Sequence, residues 1–455
     1  MRDSAAYAHL WGTDELRAAF EDRARIQSWL DILAALAFAQ AELGLIPETA
    51  AEEIGQRARI ESLDMDFVIS ETRATSHSLL GLIRGAQKVL SPEAGEWFCY
   101  GATVQDVSDT WTVLSLRTMG GIAYRDLRAI EEALLRLARE HRTTPVAART
   151  HGQPGLPIPF GFKPAVWASE VRRHLERLKE GRSRWLVGQL GGAVGTASIW
   201  EEQAAALQER FCSRLGLAVP DVSWVTARDR FAEFANLLAM VAHTLAKIGN
   251  EIVQLQRPEL GEAAEPFETG QVGSITMPHK RNPERAEHLV TLARLIRADA
   301  GVLLESMIVE HERDGRAWKA EWAAFPDICL LTGVALSMGR SLTEGLVTYP
   351  DRMLSNLAEQ RGYVLSERVM RELAGRIGKQ SAHQAVYEAA MAGQERGQSF
   401  REALGAAPEV AGRLSPAELD RLLDLGQAMG PGTQLVDRVI ERAERIRNAE
   451  AASWT

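Results

Sequence analysis

Apolar residues recur at every third or fourth position over long stretches of this chain. After Arg230, the residues Phe231, Phe234, Leu238, Val241, Leu245, Ile248, Ile252 and Leu255 fall on one face of a helix of about seven turns. Leu289, Ala293, Ile296, Ala300, Leu303 and Met307 form a second stripe. Ile26, Leu30, Leu33, Ala37 and Ala41, closing near Gly44, form a third. A fourth runs from Val107 through Leu114, Leu127, Ile130 and Leu134, and is expected to break or bend at Gly120-Gly121, because glycine weakens a helix interior. Few stretches alternate with period two, so no sizeable sheet is expected. The predicted fold is all-α. Its long helices lie side by side in an elongated bundle, where Ala232, Ala235, Ala239 and Ala246 permit close approach. Surplus apolar face on such helices points to a multi-helix core shared between chains.

At 455 residues the chain is too long for one core, and the length prior suggests about three domains. Glycines between Gly95 and Gly101, and Tyr349-Pro350-Asp351, punctuate the pattern. They divide it into an N-terminal helical domain (1–105), a central long-helix bundle (106–350) and a C-terminal helical domain (351–455). A net charge of −9 argues against a nucleic-acid binder, which needs a basic surface to neutralise phosphates. Any anionic substrate must meet a local basic site. Cys99, Cys212 and Cys329 are scattered and odd in number, so neither a disulfide framework nor a metal site is expected. The N-terminus, from Met1-Arg2-Asp3-Ser4, lacks an apolar signal core. The longest uncharged run, Trp185 to Trp200, is glycine-rich and too short to span a bilayer. A cytoplasmic protein without membrane contact is expected.

Three motifs carry candidate chemistry. Gly101-Ala102-Thr103-Val104-Gln105-Asp106 precedes a helical run. A glycine turn into a helix N-terminus offers free N–H groups for a carboxylate, and Thr103 and Gln105 add side-chain donors. Simple capping by Thr103 or Asp106 reads the same residues equally well. Arg149-Thr150-His151-Gly152-Gln153-Pro154 places a histidine outside any apolar stripe. An imidazole there suits protonation of a leaving group, or a backbone hydrogen bond within a loop. Gly273-Ser274-Ile275-Thr276-Met277-Pro278-His279-Lys280-Arg281-Asn282-Pro283 sets a serine, a cation and an amide in one loop, with glycines at 270 and 273 that give it freedom to close. Glu287 follows in the first turn of a helix. It either complements the dipole or orients a histidine.

The last of these motifs resembles the signature loop of the fumarase/aspartase superfamily, G-S-x-x-M-P-x-K-x-N-P. Its Met-Pro-His-Lys-Arg-Asn-Pro wording, with Thr150 to Pro154, Ala227-Arg228-Asp229-Arg230 and His311-Glu312-Arg313, is similar to the adenylosuccinate lyase and carboxymuconate cycloisomerase branch. The resemblance implies a homotetramer around a twenty-helix bundle, with each site drawn from three subunits and no cofactor or metal. It implies Ser274 as the base and His151 as the acid, with Glu287 oriented against it. Lys280 and Asn282 would hold the substrate carboxylate and the dianion formed on deprotonation. Thr103 and Gln105 match a second carboxylate strip, and Thr150 and His77 match substrate-contacting positions. The implied reaction is β-elimination from an N-substituted aspartate or related succinate, releasing fumarate. The alternative is a 3-carboxy-cis,cis-muconate cycloisomerase reaction, and a third possibility is a non-catalytic crystallin-like or fumarate-binding protein. Several departures bear on the substrate. No Arg-Tyr stands between Met1 and Trp11, Trp224 replaces a substrate-binding glutamine, and both argue against a purine nucleotide. Val104 and Ile275 replace common serines.

Overall fold

The structure, a computed structural model, describes residues 4–268 and 270–454. Of the N-terminal tetrapeptide considered above, only Ser4 lies within it. Helices hold 68% of the chain and strands 4%, so the mostly helical expectation stands, with two small ribbons added. The N-terminal helices are α1 (Asp14–Phe20), α2 (Asp22–Ala41), α3 (Glu48–Arg57), α4 (Met65–Thr75), α5 (Leu80–Gln87) and α6 (Pro92–Trp97). Gly95, read as punctuation, sits inside α6.

Next come α7 (Val104–Glu140), the strands β1 (Pro145–Thr150) and β2 (Gln153–Pro159), α8 (Phe162–Trp185) and α9 (Ala204–Leu215). They are followed by α10 (Asp229–Gln256), β3 (Ala263–Ala264), α11 (Glu284–Glu305), α12 (Gly315–Glu344) and β4 (Val347–Thr348). The C-terminal elements are α13 (Pro350–Ala358), α14 (Ser366–Ile377), α15 (Lys379–Glu395), α16 (Phe400–Ala406), α17 (Pro408–Ala411), α18 (Pro416–Leu422) and α19 (Gly432–Ala449).

Helices α7, α8, α10, α11 and α12 pack lengthwise, and one apolar cluster runs through them into the N-terminal helices. The stripe on α10 is buried as expected from Phe231 to Leu255, whereas Met307 of the second stripe lies beyond the end of α11. A separate cluster joins α14 to α18 through Val369, Leu373, Phe400 and Leu419. The last helix, α19, leaves that cluster and returns to α7 and α8, burying Val436, Ile440 and Trp454 against the bundle.

One expectation is corrected. No break occurs at Gly120-Gly121, for α7 is a single helix of 37 residues. Gly120 serves packing instead, since a Cβ there would lie 2.3 Å from the Trp454 ring. Helices α10 and α12 are long and apolar enough to cross a membrane, but most of each apolar window is buried inside the fold.

Candidate functional site

The Thr103 motif forms the start of α7. Gly101, at φ +78°, lies so close to Trp200 that a Cβ would stand 2.8 Å from the indole, which accounts for glycine at this turn. Asp106 is buried and accepts the backbone N–H groups of Thr103 (3.0 Å), Gly191 (2.8 Å) and Gly192 (3.0 Å) and the side-chain amide of Gln189 (3.1 Å). Burial pushes its carboxyl up to about 6, against the pull of those donors. Capping by Asp106 is therefore realised, and the same carboxylate fastens the Gly191-Gly192 connection to the helix.

Gln105 occupies a different place from the open donor expected. Its side chain is buried and its amide nitrogen donates to the Val225 carbonyl at 3.1 Å. Thr103 faces outward, and its hydroxyl accepts from Arg313 Nη1 at 2.9 Å while Arg313 Nη2 donates to the Ala193 carbonyl. This exposed guanidinium makes Arg313 a carboxylate-binding candidate that spacing did not single out, because its partner is 210 residues away. Trp318 and Trp322 pack edge to face at 4.8 Å, and Trp318 Nε1 donates to Ser108 on α7. His77 follows the left-handed Ser76 at the end of α4. Its Nδ1 accepts the N–H groups of Leu79 (3.3 Å) and Leu80 (3.1 Å), which leaves Nε2 to carry the proton at an exposed position.

His151 lies elsewhere, at the tip of the β1–β2 hairpin. Thr150 pairs with Gln153, so the turn has two residues, and His151 (φ +52°) and Gly152 (φ +78°) both take left-handed conformations. That combination matches the two-residue turn which follows the twist of a hairpin. Both Thr150 and His151 are exposed, and the imidazole makes no hydrogen bond among the described residues.

The signature loop closes on itself between β3 and α11. A Cβ on Gly273 would lie 2.3 Å from the Lys280 carbonyl oxygen, so only glycine allows this approach. Asn282 Nδ2 donates to the Gly273 carbonyl at 2.8 Å and clasps the two ends. Gln256, the last residue of α10, donates to the Arg281 carbonyl at 3.1 Å. Within the clasp Ser274 Oγ accepts the Met277 N–H at 3.1 Å and is half-buried. Lys280 is exposed, and its ammonium has no partner among the described residues. Glu287 stands exposed in the first turn of α11. Lys280, Asn282 and Glu287 line one cavity of about 800 Å³ with Gln256, Phe267 and Tyr349. Ser274 and His151 do not line it.

The two halves of the expected site lie at opposite ends of the bundle within one chain. Helix α7, with 37 residues, is about 55 Å long. Its N-terminal end meets the start of α10, where Arg228 Nη1 reaches Asp109 at 2.7 Å. The hairpin follows the C-terminal end of α7, and the signature loop follows the C-terminal end of α10. Thr103, Gln105 and Arg313 thus occupy one end, and His151, Ser274, Lys280 and Glu287 the other.

A family model described as "Lyase" matches residues 11–297, and one described as "Adenylosuccinate lyase C-terminus" matches residues 362–439. The chain is 41% identical to the N-acetyl-S-(2-succino)cysteine lyase of Dickeya dadantii, covering 95% of each chain. It is 37% identical to the adenylosuccinate lyase of Methanocaldococcus jannaschii, covering 95% of this chain and 94% of that one. Among solved structures, the 3-carboxy-cis,cis-muconate lactonizing enzyme of Pseudomonas putida superposes with a TM-score of 0.91 at 35% identity, covering 98% of this chain and 100% of that one. These matches extend over nearly the whole length, including the motifs at both ends of the bundle. The chain therefore belongs to the lyase family of the fumarase/aspartase superfamily, in the branch of adenylosuccinate lyases and carboxymuconate cycloisomerases, and it is an enzyme.

Proposed function

We propose that this enzyme cleaves a carbon–heteroatom bond in a succinate substituted at C2 by nitrogen or sulfur, releasing fumarate. The observation that carries the reading is Lys280, a cation without a partner among the described residues, which lines a cavity with Asn282 and Glu287 next to the loop of Ser274. A cation so placed, beside the Asn282 amide that clasps the loop, suits the substrate carboxylate and the dianion that forms next to it.

Ser274, ionised, takes the proton from C3. The electron pair moves into the adjacent carboxylate as an aci-carboxylate, then returns to form the C2=C3 double bond. The C2–N or C2–S bond breaks with its pair going to the heteroatom, which takes a proton from His151. Fumarate and an amine or thiol leave, and Ser274 and His151 exchange protons with water to reset. Glu287 orients the imidazole, and Thr103, Thr150 and His77 contact substrate. Gln105 supports the Thr103 strip from below.

Nitrogen was the first expectation from the sequence. The relatives named for N-acetyl-S-(2-succino)cysteine, at 41% and 39% identity, make a thioether of a cysteine derivative the first substrate to test. The likeness to a lactonizing enzyme favours one second reading, addition of a carboxylate across a muconate double bond.

No single chain completes the proposed site, because its halves lie a bundle length apart. A homotetramer with antiparallel bundles would bring the Thr103 end of one chain to the opposite ends of two others, one supplying His151 and the other Ser274. Exposed apolar residues on and just after α11, Leu304 at 53% and Ile308 at 79%, supply surface for such an assembly. Small C2-substituted dicarboxylates would then be its ligands, with no cofactor.

Fumarate absorbance after mixing the purified protein with S-(2-succino)cysteine derivatives and N-substituted aspartates tests the reaction. Silence there, with lactone formed from carboxymuconate, selects the second reading. Co-assembly tests the sharing of sites. Inactive Ser274→Ala and His151→Ala proteins, unfolded and refolded together, should regain activity if the two residues come from different chains. Regain near zero places both in one chain's site.

A further inference from the structure

We propose that Glu262, acting through Arg149, is a positioning residue that aims the His151 hairpin at the substrate's leaving group. The inference rests on the reading of His151 as the acid, and it concerns what holds that imidazole in place.

The hairpin is poorly fastened by its own backbone. Strand β2 contains Pro154, Pro157 and Pro159, none of which has an N–H to give to the ladder. The register is irregular between Ala147 and Arg149, and Arg149 stands opposite Pro154. A tip on such a ribbon needs another anchor. Arg149 provides it two residues before His151. Its Nη1 and Nη2 donate to the two carboxylate oxygens of Glu262 at 2.7 and 2.6 Å, a fork-to-fork pair with defined direction. Asn356 Nδ2 on α13 adds a third donor to Glu262 at 2.8 Å.

Glu262 is itself held rigidly. It is 0% exposed, its N–H donates to the Leu255 carbonyl at the end of α10, and its carbonyl accepts from the Tyr349 N–H. Three residues on, Glu265 accepts the N–H of Ala286 at 3.1 Å and that of Arg285 at 3.4 Å, in the first turn of α11 beside Glu287. Residues 262–265 thus form a bracket. One carboxylate grips the hairpin with His151, and the other grips the helix with Glu287. A buried ion pair adds little net stability over an apolar substitute, so fixed direction is its distinctive contribution here.

The test uses two C2-substituted succinates, with wild-type turnover of each as the baseline. One is an N-alkyl aspartate, whose amine must be protonated to leave. The other is 2-(4-nitrophenylsulfanyl)succinate, whose thiolate leaves without a proton. Glu262→Gln should lower kcat on the amine substrate by ~10- to 100-fold, the size expected for a misplacement on the order of 1 Å, with KM little changed. On the aryl thioether the loss should be slight. Arg149→Lys keeps the charge but loses the fork, and should show the same selectivity more mildly. It carries the test if Glu262→Gln does not fold.

Equal losses on both substrates, or none on either, overturn the proposal. His151→Ala is the control for the underlying reading. If it treats the two substrates alike, the acid assignment fails, and this inference with it. If it alone discriminates between them, only the bracket is refuted.

Discussion

At the Thr103 end of α7 the motif's polar side chains are tied to protein partners, whereas at the other end His151, Lys280 and Glu287 have none among the described residues. Asp106 accepts four hydrogen bonds, Gln105 spends its amide on Val225, and Arg313 is engaged by Thr103 and Ala193. His151, Lys280 and Glu287 are exposed on a hairpin tip, a clasped loop and a first helical turn. The first arrangement holds a surface in shape, and the second leaves donors and charges free for a ligand. The difference separates what a substitution should damage. Changes at the open end should cost rate with little stability, and changes at the closed end should cost stability as well.

The largest effect is expected at Ser274. Among the described residues its hydroxyl accepts only the Met277 N–H, so Ser274→Ala should leave the melting temperature nearly unchanged. Removal of the base should cut kcat by about 10³-fold or more, toward the upper end of the usual range for a general base. Fumarate release measures the first quantity, and calorimetric titration with fumarate should still report product binding. Full activity would remove Ser274 from the mechanism. Lys280→Met comes next, with a fall of ~10²–10³ in kcat, as for loss of one donor to a developing charge. Its ammonium has no partner among the described residues, so circular dichroism and thermal unfolding should match wild type. A Lys280→Met protein that unfolds early would erase the contrast between the two ends.

How much of this was legible before the fold was known depended on where each cause lay in the chain. The stripes of α2, α10 and α11 announced themselves because a helix repeats its own face every few residues. The signature loop was legible because its glycine, asparagine and prolines act within one short segment, and Gly273 against Lys280 explains that spacing. The hairpin was not, since the prolines of β2 hide the alternation of a strand and His-Gly is an unusual pair for a two-residue turn. The continuity of α7 was equally hidden, because the partner of Gly120 is Trp454 near the far end of the chain. Arg313 and Thr103 meet for the same kind of reason. Nothing in a linear pattern tells which end of a bundle a motif will occupy.

At the closed end, pH offers a sharper probe than truncation. Burial raises the Asp106 carboxyl from 3.8 to about 6. Between those values the folded protein holds a proton that the unfolded chain has released, so stability from this group is present below about 3.8 and is lost as pH rises through about 6. A rise of that size corresponds to about 3 kcal/mol. Asp106→Asn should flatten this part of the stability profile, read as the change in unfolding midpoint between mildly acidic and neutral buffers. An unchanged profile would assign the titration to another group and weaken the account of this end as a closed polar cluster.

The middle of the bundle should obey neither rule, and Gly120→Ala asks whether the two ends are insulated from it. A new methyl at 120 meets the Trp454 ring at 2.3 Å. The ring is held by its Nε1 bond to the Leu178 carbonyl, and Arg182 Nη1 donates to the Trp454 carbonyl. The helix gains from alanine over glycine, by roughly 1 kcal/mol, so the tail and the helix are opposed. Overpacking against a fixed indole typically costs ~1–3 kcal/mol, and the expected net is a modest loss. Removal of the clash in a Gly120→Ala/Trp454→Ala double variant, compared with Trp454→Ala alone, should turn the same alanine into a gain. Because α7 is one unbroken rod joining the Thr103 end to the hairpin, a tail displaced without bending that rod should leave kcat unchanged. A fall in kcat in the Gly120→Ala enzyme would mean that the rod transmits distortion, so that the closed end and the open end are mechanically one site.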